Sequence, residues 1–198
     1  MTAGLVEIPG YVAGTWVIDR VHSEVGFMVR HLMISKVRGQ FTSFEGEVIT
    51  DPDPLKSRVT ATIDLGSIST GNEQRDAHVR SGDFLGVDEH PTMTYRSTAI
   101  RTAGADFILD GELTLKGITR VVPLKLEING FGPDPFAPDP LKGARVGFTA
   151  TGEINRMDFN VNFNGPVPGG GVVVSESVQI FLEIEAALRS SAEIPDGN

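Results

Sequence analysis

The most constraining feature of this chain is a period of two. Between Thr15 and Leu188, nine segments alternate apolar with polar residues or concentrate β-branched ones, with Gly, Pro, Asp or Asn between them. They are "TWVID" (15–19), "SEVGFMVRHLM" (23–33), "KVRGQFTSFEGEVIT" (36–50), "RVTATIDL" (58–65), "TMTYRSTAIR" (92–101), "DFILDGELTL" (106–115), "TRVVPLKLEI" (119–128), "ARVGFTATGEI" (144–154) and "VVVSESVQIFLEIEAAL" (172–188). Successive side chains of a strand point to opposite faces, so such segments each offer one apolar face. Val25, Phe27, Val29 and His31 share one, as do Val59, Ala61 and Ile63, or Val178, Ile180, Leu182 and Ile184. Little chain is left for crossover helices, so the fold class is all-β and antiparallel. A sheet this long must pack on a second sheet or close on itself. Closure removes unpaired edges, and a barrel of about eight strands can hold one small ligand. Periodicity alone leaves a sandwich open.

One stretch breaks the pattern. In "STGNEQRDAHVRS" (69–81) Thr70 precedes Glu73 at capping-box spacing, which predicts one short helix over 71–81 ending by Gly82. It is too short and polar for a core layer and suits a plug or lid at one end of the sheet. "DPDP" (51–54) and "GPDPFAPDPLKG" (132–143) read as loops, the second with polyproline character. "PVPGGG" (166–171) lacks the strand and helix that a phosphate cradle needs, and the tail "SSAEIPDGN" reads as frayed. Strand-like segments flank every loop, so residues 1–198 read as one domain with a core of about 15–188, an extension (1–14) and a tail (189–198).

Two of the four histidines lie in "VHSEVGFMVRHL" (21–32). In a continuous strand His22 and His31 fall on opposite faces and ~30 Å apart at about 3.3 Å per residue, so they are not a pair. His31 lies on the apolar face, and His22 closes the turn after "WVID".

A net charge of -9, with basic residues scattered among more numerous acidic ones, argues against a nucleic-acid partner while leaving small anions open. The absence of cysteine excludes disulfides, thiolate catalysis and Cys-based metal sites. No apolar run reaches the roughly 18 residues of a membrane-spanning helix. The first residues show neither a basic nor a continuous apolar leader region, so the expectation is a cytoplasmic chain, with export as the alternative. No G-x-S-x-G, H-E-x-x-H or P-loop motif occurs, so no catalytic residue and no cofactor is expected. Asp88 and His90 of "DEHP" have metal-ligand chemistry but read as a solvated turn, leaving no metal site. Asn155, Arg156 and Asp158 read as a capped turn at a strand end.

Several blocks, in order, carry a family resemblance: "WVIDRVHSEVGFMVRH", "VRGQFTSFEGEV", "ATIDLGSISTGNEQRDAHVRSGDFLGV", "HPTMTYRST", "DGELTLKGITR", "INRMDF" and "VQIFLEIEA". From about Trp16 to Ala187 the chain resembles the YceI family of lipocalin-like, polyisoprenoid-binding proteins. The resemblance implies a lipocalin-like barrel of eight antiparallel strands with one short helix. It also implies an elongated apolar channel for a long amphiphile, such as a polyisoprenoid, a polyprenyl phosphate or an isoprenoid quinone. The lipid is then ligand rather than cofactor, and a homodimer is a possible assembly. Family members often carry Gly after their Asp-Phe pair where this chain has Asn160, and the "PDPFAPDP" stretch is longer than the block requires.

On this resemblance the expected channel lining is Phe27, Val29, His31, Phe41, Phe44, Ile63, Met93, Tyr95, Phe148 and Ile180. Tyr95 and His31 are the polar tips on otherwise apolar faces, candidates for head-group contact. Burial would keep the His31 imidazole neutral and able to donate one hydrogen bond. Arg75 and Asp76 are expected to anchor the helix to the barrel through a salt bridge, with His78 on the helix surface. The functional expectation is binding without turnover. An enzyme acting on a lipid-like substrate and an interaction domain with a filled core are the alternatives.

Overall fold

The computed structural model describes residues 7–137, 144–165, 167, 168 and 170–189. Its strands, all paired antiparallel, are β1 (Gly14–Ile18), β2 (Glu24–His31), β3 (Ser35–Phe41), β4 (Phe44–Thr50), β5 (Arg58–Asp64), β6 (Ile68–Ser69), β7 (Thr92–Ala103), β8 (Asp106–Leu115), β9 (Ile118–Val121), β10 (Leu124–Pro133), β11 (Ala144–Asn155) and β12 (Ser177–Leu188). A helix, α1 (Glu73–Arg80), lies between β6 and β7.

The order β1-β4-β5-β7-β8-β10-β11-β12 closes on itself where Trp16 of β1 pairs with Leu188 of β12. This is an eight-stranded closed barrel, not a sandwich. Farther along β12, Ile180 pairs with Phe27 of β2, so β1 and β2 are successive parts of one bent stave. β3 and β4 form the next, because Trp16 faces Val48 and Val25 faces Phe41. The first stave breaks at a 3-10 turn, Arg20–His22, where Asp19 caps the Val21 amide and bonds His22. His22 therefore closes the turn after β1, as its parity predicts.

The single strand expected over 36–50 is two. Its ladder stops at Thr42 and Ser43, whose amides bond the Ser67 carbonyl and hydroxyl instead. The segment 119–128 also divides, because Pro123 has no amide to continue a ladder. Part of the long 132–143 loop lies outside the described residues, as do residues 166 and 169 of "PVPGGG" and the tail beyond 189.

Inward alternation is cleanest in β8, where Phe107, Leu109, Leu113 and Leu115 are buried. Between them stands Gly111, whose added β-carbon would lie 2.3 Å from the Tyr95 ring, so only glycine admits that aromatic against the wall. At one end Trp16, fully buried, donates to Thr50 Oγ1 at 2.8 Å and packs edge-on to Phe131 at 5.5 Å. Tyr11 packs edge-on to Phe131 at 5.2 Å, and its hydroxyl donates to the Asp51 carbonyl at 2.6 Å, so this residue of the expected N-terminal extension packs on the end of the barrel.

At the other end sits α1. Its N-cap is Asn72, which accepts from the Arg75 amide, rather than the expected Thr70. Thr70 is engaged elsewhere: its amide and hydroxyl donate to buried Asp76, and Arg75 donates to its hydroxyl (2.7 Å) and carbonyl (2.9 Å). In place of the expected salt bridge, Arg75 and Asp76 are tied by hydrogen bonds to Thr70 beside β6, and neither forms a salt bridge among the described residues. Asn160 stands in the left-handed region (φ 55°), which Asn tolerates better than most residues. That accounts for its standing where glycine is common in the family it resembles.

The β2–β3 turn is unusual. Leu32 (φ 51°) and Met33 (φ 58°) both take left-handed backbone, and the Ile34 amide closes the turn on the His31 carbonyl. The loop has three residues, since His31 pairs with Ser35, but its β-turn has two left-handed central positions, which favour Asn-Gly, and bulky residues there cost roughly 1–2 kcal/mol each.

Candidate functional site

Side chains do not fill the barrel. A cavity of about 660 Å³ runs inside it, bordered at one end by Ile8, Tyr11 and Phe131 and at the other by α1, the β2–β3 hairpin, Val161, Phe163, Val173 and Val174. That volume lies within the roughly 300–1,000 Å³ typical of small-molecule sites. Phe27, Val29, Phe41, Phe44, Ile63, Met93, Tyr95, Phe148 and Ile180 all border it, and His31 stands at its rim. Strand parity brings them together, because each is the inward member of its alternation.

The two polar tips behave differently from expectation. The Tyr95 hydroxyl is shared between the carbonyls of Leu109 (3.2 Å) and Val122 (3.1 Å). Burial, and secondarily Asp110, pushes its ionisation far above the usual phenol range. Its proton is committed, so Tyr95 can accept a hydrogen bond from a ligand but has none free to donate. His31 is exposed rather than buried, because β2 ends there and the turn carries it to the surface. Its ring makes no hydrogen bond among the described residues.

Among the described residues, every ionisable group on the cavity wall except the tyrosines is basic: Arg30, His31, Arg58, Arg75, His78 and Arg156, with no carboxylate. This contrasts with an acidic chain of net charge -9. Five of the six, Arg30, His31, Arg75, His78 and Arg156, surround the α1 end. Arg156 is the best placed. It is 5% exposed, and its guanidinium donates to the carbonyls of Ser175 (2.9 Å), Val174 (3.1 Å) and Val161. All three acceptors are neutral carbonyls, so the guanidinium is solvated without a directly paired carboxylate among the described residues, Glu176 acting on it only at a distance. Burial pulls its ionisation below the usual guanidinium range, but arginine remains a cation in proteins. The expected capped turn is present, with Asn155 accepting from the Met157 amide, but it also holds this buried cation, which local sequence does not reveal.

His78, expected on the helix surface, borders the cavity. Its Nε2 lies 2.8 Å from Asp83 Oδ2, and its ring packs edge-on against Phe84 (5.2 Å) and Phe163 (4.8 Å). Residues that are both exposed and cavity-lining mark where the lumen meets the surface. Arg30, His31, Ser35, Arg75 and His78 do so at the α1 end, and Arg58 at the other.

Metal-ligand spacing occurs once among the described residues, at Asp19, His22 and Glu185 outside the lumen. Arg145 already spans this group, donating to Asp19 Oδ2 (2.5 Å) and Glu185 Oε1 (3.1 Å) and through Nε to Asp134 (2.8 Å). His22 and Arg145 hold the Asp19 carboxyl well below the ordinary range, and Asp19 in turn raises the His22 imidazole. The cluster reads as an ion-pair clasp across β1, β11 and β12.

Comparison with known proteins agrees with this architecture. A family model described as a YceI-like domain matches residues 16–186. A UPF0312 protein of Staphylococcus aureus is 36% identical over 172 residues, covering 86% of this chain and 95% of that protein. The crystal structure of BcnA from Burkholderia cenocepacia superposes with a TM-score of 0.70 at 25% identity, over 85% of this chain and 98% of that one. A polyisoprenoid binding domain from Saccharophagus degradans, implicated in plant cell wall breakdown, shares the fold at a TM-score of 0.64 and 14% identity, over 90% of this chain and all of that one (100%).

Proposed function

The chain belongs to the YceI family, and we propose that its barrel binds a long-chain isoprenoid amphiphile with an anionic head, such as a polyprenyl phosphate, without converting it. The observation that carries this reading is the lumen itself: apolar along its length, with basic groups and, among the described residues, no carboxylate on its wall. The polyisoprenoid-binding relative in fold supports the same ligand class.

The tail supplies affinity. At ~0.8 kcal/mol per buried CH₂, about twenty carbons yield ~16 kcal/mol gross, which exceeds the roughly 8 kcal/mol of micromolar binding by enough to offset association and ordering. The head sets orientation: an anion at the α1 end meets Arg156, Arg75 and His78, of which only His78 is in direct contact with a carboxylate, that of Asp83, among the described residues. A filled interaction core is disfavoured by the cavity. Turnover is disfavoured because neither wall histidine is hydrogen-bonded to a hydroxyl, as nucleophile activation requires.

Thermal shift and calorimetry with three ligands of one chain length test the reading. A prenyl phosphate is expected to bind at least tenfold more tightly than the corresponding alcohol, with a matching rise in melting temperature. Equal affinities would remove the anionic head from the account. A prenylated quinone that outcompetes the phosphate would replace it with a neutral head. If none binds, the lipid reading fails.

A further inference from the structure

The β2–β3 hairpin that rims the lumen carries features that neither folding nor cavity binding explains. Its tip is three consecutive large apolar side chains, Leu32, Met33 and Ile34, exposed by 41%, 54% and 83%. Two of these occupy the left-handed positions where Asn-Gly would be unstrained and soluble. Immediately behind the tip, Arg30 and Lys36 face each other across the strands, and Arg38 follows on the same side. Like charges directly opposite on antiparallel strands repel, yet all three are exposed and none forms an ion pair among the described residues. A contiguous apolar tip backed by unpaired cations, on a chain of net charge -9, is complementary to one kind of surface.

We propose that this hairpin docks the barrel on an anionic lipid bilayer. Leu32, Met33 and Ile34 enter the interface while Arg30, Lys36 and Arg38 lie at the level of the lipid head groups. Val29, His31, Ser35 and Val37 of the same hairpin border the cavity, so docking sets the lumen mouth against the membrane. An isoprenoid tail can then pass between bilayer and lumen with little exposure to water. The docking goes beyond the binding function and gives it a route for loading and release. Charge attraction of this kind falls off within the Debye length of about 10 Å at 0.1 M salt, so the contact is reversible and salt-sensitive.

Flotation with vesicles of phosphatidylcholine and phosphatidylglycerol (7:3), against phosphatidylcholine alone, reads the docking directly. The protein is expected to float with the anionic vesicles, to float little with the neutral ones, and to be released by about 0.5 M salt, where the screening length drops to a few Å. Leu32→Asn/Met33→Gly/Ile34→Ser restores a favourable turn, so it should fold at least as well while reducing vesicle binding tenfold or more. Lys36→Gln/Arg38→Gln should reduce it about tenfold by removing two cations, at roughly fivefold or less per charge. Both variants should keep the solution affinity for a prenyl phosphate, which separates failure of docking from failure of lumen binding. Ala61→Trp, which obstructs the lumen, should still float.

Wild-type protein that ignores anionic vesicles, or variants that bind them unchanged, would overturn the proposal. So would self-association in sedimentation that the triple tip variant abolishes while vesicle binding stays absent, since the tip would then be an interface between two copies.

Discussion

Replacing Ala61 with tryptophan is expected to reduce affinity for a prenyl phosphate at least a hundredfold, the largest functional effect of any single substitution in the barrel wall. Ala61 faces inward on β5, in register with Tyr95 of β7 on one side and Gly46 of β4 on the other, and it borders the cavity. An indole there projects into the space a tail needs. Overpacking a filled core typically costs about 1–3 kcal/mol, but a lumen of about 660 Å³ has room for the ring, so the loss should be of binding and not of fold. Calorimetric titration measures the first, and the melting temperature checks the second. Unchanged affinity would place the ligand elsewhere on the molecule.

The second large effect is structural. Arg156→Leu is expected to destabilise the protein by about 3–5 kcal/mol, because it leaves buried carbonyls of Val161, Val174 and Ser175 without their donor. Those carbonyls belong to a segment whose Val161 and Val174 border the lumen, and Ser175 also holds the Arg30 amide through its hydroxyl. The segment should therefore loosen together with the end of β2. Urea unfolding monitored through Trp16, the single tryptophan, measures the loss. At temperatures where the variant is folded, its preference for a prenyl phosphate over the alcohol should shrink, since the buried cation is gone. Stability within about 1 kcal/mol of wild type would show that water or a neighbour takes over the three carbonyls.

These predictions divide along a line that also separates what could be read from residue order. The alternation of β2, β5, β7 and β12 is local, and it specifies which side chains face inward; the wall positions Phe27, Ile63, Met93 and Ile180 follow from it. Barrel closure needed more than parity, because a sandwich has the same alternation, and it became specific only through the ordered family blocks. Arg156 could not be found this way. Its role depends on carbonyls from Val161 to Ser175, brought to it by a loop whose path no periodicity describes. The same holds for Tyr95: its alternation places the ring inward, but the carbonyls that take its proton come from β8 and from the break before β10. His31 borders the cavity, as its parity predicts, but does so exposed and at the rim. Parity says nothing about where a strand ends, and β2 ends at His31. Thr70 had the spacing of a helix cap but was claimed by Asp76 and Arg75, leaving Asn72 as the cap.

Native mass spectrometry of the protein, purified without detergent and then compared before and after extraction with organic solvent, tests the central claim most directly. The account predicts an adduct that extraction removes, that fragments as an isoprenoid chain bearing an anionic head, and that a synthetic prenyl phosphate restores at one per barrel. A protein that carries no lipid, takes up none when offered a prenyl phosphate, and keeps the same melting temperature throughout would contradict it.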